Sequence, residues 1–329
     1  MVKLVLSQLF VIAVLFSSCN TIASKREPII AGFPDAALAR VFAEGIISTG
    51  DYETHAAFTP GGDTVYFLKC MPDLSTCAIC SSYKNKGQWG KPEIVSFSGK
   101  YLDVDPFVTS DGNTFYFVSN RPYKAGDTLN ASWDIWKCDK KGNDWGEPVH
   151  LDSIVNSTAD EYYPTVSDKG SLYFGSSREG GRGGSDIYRA KAVNGKFMHV
   201  ENLGDSINTS DNEYEAFIAP DESYLIFMAT VPKGLSNADF FWTRAANNGW
   251  TKAKKLTGDV NSSATEWAPK VTRDGRYFYF GSTRNRLTAL PDATEKLNQF
   301  QKKLQLSGNG LGDIYYINFS SLSLQKDSQ

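Results

Sequence analysis

Histidine is scarce in this chain, three residues in 329, and none of the three (His55, His150 and His199) lies near a cysteine. Past the N-terminal segment only four cysteines remain, Cys70, Cys77, Cys80 and Cys138, in a spacing that is neither a zinc finger nor a ribbon. An even number outside the cytoplasm points to disulfide chemistry, and Cys70 and Cys77, which bracket a short loop, are the expected pair. A zinc site from three of the four is the alternative; no metal or cofactor is expected. An excess of one charge is also missing. A net charge of −3 with no run of lysine or arginine excludes the electrostatic footprint that nucleic acid or an anionic lipid surface would require. Long apolar runs are absent too. Leu9 to Phe16 is too short to span a bilayer, and with Lys3 before it and Ser17-Ser18 after it, it reads as an export signal over residues 1–18. No nucleophile elbow is present and no base falls beside a serine-rich turn, which sets aside serine and cysteine hydrolases.

What the chain does have is a repeat. Five segments align: ETHAAFTPGGDTVYF from Glu53, DVDPFVTSDGNTFYF from Asp103, EYYPTVSDKGSLYF from Glu161, EYEAFIAPDESYLIF from Glu213 and EWAPKVTRDGRYFYF from Glu266. A period near fifty residues is that of a four-stranded blade repeated around an axis. The third unit shows the strands: Tyr163 to Val166, a Ser167–Gly170 turn, Ser171 to Gly175, a glycine-rich loop over 180–184, Asp186 to Arg189, an Asn194-Gly195 hairpin, and Phe197 to Leu203. Trp89, Trp145 and Trp250 follow Gly87, Gly142 and Gly249 at the equivalent of Phe197 and are expected to pack blade against blade. The fifth unit ends after its third strand, while Leu38 to Ser48 precedes the first unit without a partner. The expected fold is therefore an all-β propeller of five blades over residues 38–325, closed by the N-terminal strand, since pairing the chain ends removes open sheet edges. A sixth blade assembled from the N-terminal segment and an insertion over residues 285–312 is left open. In that insertion Asp292 and Glu295 form a capping box ahead of Leu297, Phe300 and Leu304 at helical spacing, which predicts a short amphipathic helix serving as lid, docking element or decoration.

Two resemblances follow from these residues. Ser-x-Arg followed by Asp-Ile-Tyr, after a Pro-led strand start that ends in Ser-Asp and Gly, resembles the WD40-like repeats of TolB-type periplasmic propellers over roughly residues 50–320. The likeness specifies fold far better than function. Against that family the chain is expected to lack the small N-terminal domain, to have five repeats rather than six, and to carry neither a peptidoglycan-binding nor an α/β catalytic domain. Ser17-Ser18-Cys19 is similar to the lipobox of bacterial lipoproteins, which implies acylation of Cys19 and a tether over residues 19–37. Asn20 in place of a retaining aspartate then implies the outer membrane, with the lipid as the sole membrane attachment. An ordinary signal peptide with Cys19 incidental is the alternative.

In a blade, the loop into the innermost strand and the loop between strands two and three share one face. On that face each repeat presents an acid: Glu53, Asp103, Glu161, Glu213 and Glu266. Five residues earlier stand Ser48, Ser98, Asn156, Asn208 and Asn261, suited to capping turns. Arg121 with Asp134, Arg178 with Asp186 and Arg284 with Asp313 are expected to form a repeated salt bridge, which Met71 and Val231 break in the first and fourth units. Two positions past the acid the repeats diverge, to His55, Asp105, Tyr163, Glu215 and Ala268. A histidine, two carboxylates and a phenol converging on a channel mouth can bind a sugar or a cation, or simply line a hydrated pore. The expected function is a non-enzymatic binding module for an envelope protein or glycan. A glycoside hydrolase using Asp105, Glu215 and Glu53 is the alternative.

Overall fold

The computed structural model describes residues 34–124, 126–230, 238–287 and 296–322. The export segment, Cys19, Val231 and the Asp292/Glu295 capping box lie outside them. Each repeat opens with a β-rich run and then turns; in the second and fifth a hydroxyl binds the acid two places on, Thr109 Oγ1 to Asp111 Oδ1 (2.6 Å) and Thr272 Oγ1 to Asp274 Oδ1 (2.6 Å). Five antiparallel sheets result. Blade 1 comprises Tyr52–Phe58, Thr64–Cys70 and Cys77–Asn85, edged by Gln88–Trp89 and Glu93–Ile94. Blade 2 comprises Asp103–Val108, Thr114–Ser119 and Asp134–Lys141, edged by Asp144–Trp145 and Val149–His150. Blade 3 comprises Glu161–Val166, Leu172–Ser176, Asp186–Val193 and Lys196–Asn202. Blade 4 comprises Glu213–Ile218, Tyr224–Thr230 and Ala238–Ala246, edged by Gly249–Trp250 and Lys254–Lys255.

Blade 5 takes Glu266–Val271, Tyr277–Ser282 and Asp313–Asn318 from the C-terminal repeat and its outer strand, Arg40–Val41, from the other end of the chain. Arg40 stands opposite Tyr316 and Val41 opposite Tyr315. Ala36 N donates to Asn318 Oδ1 (3.0 Å), and Phe42 N donates to Ile314 O (2.8 Å). The ring therefore closes with five blades, and the described residues contain no sixth sheet. The insertion supplies a helix instead, Leu297–Leu304, with Lys296 as its N-cap and no buried residue.

The core lies between blades. The last phenylalanine of the aligned segments (Phe67, Phe117, Phe174, Phe227 and Phe280) is at most 1% exposed in all five units, and burying each ring stabilises by about 2–3 kcal/mol. The outer tryptophans reach the preceding blade: Trp145 Nε1 donates to Tyr66 Oη (3.0 Å), Trp250 meets Tyr173 edge-on, and Trp89 packs on Phe42 of the closing segment. Asn156, Asn208 and Asn261 act as more than turn caps. Each carboxamide pairs with both the N–H and the C=O of one third-strand residue in the preceding blade (Ile135, Ile187 and Phe240), so side chains continue the ladder where the backbone has turned away.

Candidate functional site

The entry acids are buried to within 1% of completely, one per blade, and they brace the turns that lead into the channel. Glu53, Glu161, Glu213 and Glu266 each accept from the backbone N–H and the hydroxyl of the residue four places earlier, Thr49, Ser157, Thr209 and Ser262. Asp103 is one carbon shorter and has Gly99 at that place, so it takes Arg121 Nη2 instead (2.6 Å).

The expected arginine pairs are corrected here. Arg121, Arg178 and Arg284 pair with the entry acids Asp103 (2.6 Å), Glu161 (2.9 Å) and Glu266 (3.2 Å), not with Asp134, Asp186 and Asp313. The guanidinium folds back over the second strand to the first. The third-strand aspartates serve their own loops: Asp134 meets His150 (3.0 Å), Asp186 accepts from Gly183 N (3.1 Å), and Asp313 accepts from Gly308 N (2.6 Å). In blade 1 Lys69 supplies the cation that Met71 does not, 3.1 Å from Glu53. Glu213 has no ion-pair partner among the described residues, and burial pushes its carboxyl up.

The divergent positions do meet at the axis. His55, Asp105, Tyr163, Glu215 and Ala268 all have left-handed backbones, with φ between 48° and 55°, and each sits in a register shift of its innermost strand. A bulge of this kind turns one side chain per blade into the channel and costs about 1–3 kcal/mol at a non-glycine residue. Bonds between blades hold the strained peptides at Tyr163 and Ala268. Asp105 Oδ2 accepts from Tyr163 N (2.9 Å), Glu215 Oε2 accepts from Ala268 N (2.6 Å), and Tyr163 Oη donates to Pro269 O (3.0 Å).

His55 stands between the two carboxylates. Its Nε2 is 3.3 Å from Asp105 Oδ1 and 3.3 Å from Glu215 Oε1, and its Nδ1 is 3.1 Å from Thr54 Oγ1, which is also bonded to Trp267 Nε1. Burial pushes the Asp105 carboxyl up and neighbouring Glu215 adds to it, against the pull of His55, the Tyr163 amide and Lys270.

These groups form the floor of a cavity of about 440 Å³ that opens on the entry face. Its walls include Tyr52, Trp133 and Trp267, with Leu68, Leu74, Leu102 and Val104. Tyr52 stacks on Trp267 with centroids 6.0 Å apart, and Gly281 leaves room behind Trp267 that any Cβ would fill. Cys70 and Cys77, joined to each other, form part of the wall. Cys80 and Cys138 are buried thiols on separate blades, pushed by burial up to about 11 and about 12, which leaves them inert. No cluster of three histidine, cysteine or acidic side chains suited to a metal ion occurs among the described residues. The insertion helix lies at the rim beside blade 1, where Asn309 Nδ2 donates to Gly50 O (3.0 Å), and contributes nothing to the cavity wall.

Tyr52, Trp133 and Trp267 of the mouth, and Lys270 below its floor, carried no expectation from the sequence. Tyr52 and Trp267 flank entry acids directly, so their place on the mouth could have been inferred. Lys270 is a lysine in a register that holds Ala57, Phe107, Thr165 and Phe217 elsewhere, which was itself a signal. Trp133 had none, because its loop aligns with nothing.

The fold defines the class, a five-bladed β-propeller. No protein-family model and no curated protein matches the sequence. Solved structures do match, TolB among them. The chain is 17% identical to TolB from Acinetobacter baumannii, with 81% of this chain and 54% of that one covered at a TM-score of 0.47, so it spans about half of that protein's length. It is 12% identical to an α-L-arabinofuranosidase from Lactobacillus brevis, covering 83% and 92% at a TM-score of 0.50. It is 13% identical to a puromycin-hydrolysing peptidase from Mycobacterium tuberculosis, covering 80% and 42% at a TM-score of 0.42. At these identities the likeness is one of fold alone.

Proposed function

We propose that this propeller is a cell-envelope binding module, tethered through Cys19, that captures an envelope glycan end in the axial mouth and leaves it intact. The observation that carries the reading is the mouth itself: aromatic faces on Tyr52, Trp133 and Trp267 around a recessed polar floor of Thr54, His55, Asp105 and Glu215. Aromatic walls receive the apolar face of a sugar ring, and the recessed groups fix its hydroxyls. The hydrolase alternative is disfavoured by the floor. A glycosidase places the scissile bond between its two carboxyl groups, whereas here the imidazole of His55 occupies that gap, and each carboxylate spends its other oxygen on a backbone N–H.

The test is calorimetric titration of the protein with soluble envelope glycan fragments, beside Trp267→Ala and Trp133→Ala. A saturable heat that weakens at least about fivefold in both variants supports the reading, since a lost aromatic platform is worth on the order of 1–3 kcal/mol. Binding unchanged in both variants, or no binding by the unaltered protein, contradicts it.

A further inference from the structure

Below the axial floor the channel continues as a second, smaller chamber of about 60 Å³. Its walls are Ala57, Phe107, Phe217 and Lys270, with threonines at the turns beneath. Those hydroxyls are already engaged: Thr59 donates to Asp63, Thr109 to Asp111 and Thr272 to Asp274. Lys270 is 2% exposed, and its Nζ has no hydrogen-bond partner. Its one close neighbour of note is the face of Tyr163, whose centroid lies 4.4 Å away. The same ring meets His55 edge-on, with centroids 6.0 Å apart, and so links the chamber to the floor of the mouth above.

An ammonium carries three donors and no acceptor, and leaving them unpaired in a cavity is costly. A chamber of this size holds about two waters or one small anion. Access is from the face opposite the mouth. There Arg273 of blade 5 reaches across to Asp168 of blade 3 with bonds of 3.0 and 2.8 Å, and both side chains are about 39% exposed. A half-exposed ion pair opens readily and offers an arriving anion a first cationic contact.

We propose that this lower chamber is a second ligand site, which takes a small monoanion, a carboxylate or a halide, past the Arg273–Asp168 bridge and pairs it with the Lys270 ammonium. The site shares no wall residue with the mouth, although Asp105 and Glu215 of the mouth's floor act on the Lys270 charge. It is not expected to take sulfate or a larger dianion, whose second charge would stand unpaired beside a single ammonium on which Asp105 and Glu215 already act. Burial lowers the Lys270 amine to about 8 while Asp105 and Glu215 pull it up, so the amine is charged at neutral pH and loses its proton in mild alkali. Anion binding therefore weakens as pH rises through that value.

The experiment follows thermal unfolding of the full-length chain in sodium formate and in sodium sulfate of equal ionic strength at pH 7, for the unaltered protein and for Lys270→Met. The expected result is a Tm that climbs with the logarithm of formate concentration beyond the sulfate response, in the unaltered protein alone. At pH 9.5 the apparent formate affinity falls by about tenfold or more. An equal response in Lys270→Met overturns the proposal, as does an equal response to formate and sulfate. Should the methionine variant fail to fold, NMR of the unaltered protein with ¹³C-labelled lysine decides. Formate must raise the titration midpoint of the buried lysine, and an unmoved midpoint means that only water occupies the chamber.

Discussion

Lysine 270 also gives the sharpest stability test. Its amine falls from an ordinary 10.5 to about 8 because burial penalises the charged form more than Asp105 and Glu215 favour it. Each tenfold change in proton affinity corresponds to about 1.4 kcal/mol, so keeping the ammonium in place at pH 7 costs about 3 kcal/mol relative to the unfolded chain. Lys270→Met keeps an unbranched stem of similar length and removes the charge, at the loss of a desolvated cation–π contact with Tyr163 worth about 2 kcal/mol. The variant is therefore expected to be more stable by about 1 kcal/mol at pH 7, read by urea unfolding in sulfate buffer so that no small anion masks the charge. The sign with pH follows from which state binds the proton. Between about 8 and 10.5 the unfolded chain holds it and the folded chain does not, so the unaltered protein gains stability as pH rises across that window and the advantage of methionine fades. A variant less stable at pH 7, or an advantage that does not change up to pH 10.5, would refute the argument and mean that the ammonium is satisfied by groups fixed in the fold.

Three further outcomes are expected. Asp103→Asn should destabilise by about 1–3 kcal/mol because it leaves buried Arg121 without the carboxylate it pairs with, whereas Glu213→Gln, which parts from no cation among the described residues, should cost less; paired urea titrations compare them. Asp313 is pushed up to about 7, first by burial, so its contribution is complete below about 4 and lost as pH rises through 7; Asp313→Asn should flatten stability across that range in pH-dependent unfolding. Replacing both Cys70 and Cys77 with serine should lower stability by about 2 kcal/mol, the entropy of the short loop they close, and the loss should vanish when both proteins are compared under reducing conditions.

The architecture was legible because it is written five times. The phenylalanine that ends each aligned segment is buried in every blade, and the unpartnered ends of the chain foretold the closing strand, since an open edge has a cost that the sequence must answer. The convergence of His55, Asp105, Tyr163 and Glu215 was likewise readable as divergence within a conserved register of the repeats. Their left-handed backbones were not, because none is glycine, and at Tyr163 and Ala268 the bond that holds the peptide comes from another blade. The arginine pairs were misassigned for a related reason. Adjacency along the hairpin favoured Asp134, Asp186 and Asp313, but those aspartates are taken up within their own blades, and a guanidinium on a loop has the reach to cross a strand to the equally buried entry acids. Trp133 and the lower chamber depend on which loops and side chains meet across the axis, a matter of tertiary packing that local pattern does not carry.

The central claim is that the axial mouth holds its ligand without cleaving it. The direct measurement is mass spectrometry of glycan fragments recovered after prolonged incubation with the protein, beside Trp267→Ala and Asp105→Asn. The account predicts fragments retained and returned at full length, with retention lost in the tryptophan variant and no cleavage by any of the three proteins. Shortened fragments from the unaltered protein, restored to full length by Asp105→Asn, would contradict it and make the carboxylates catalytic.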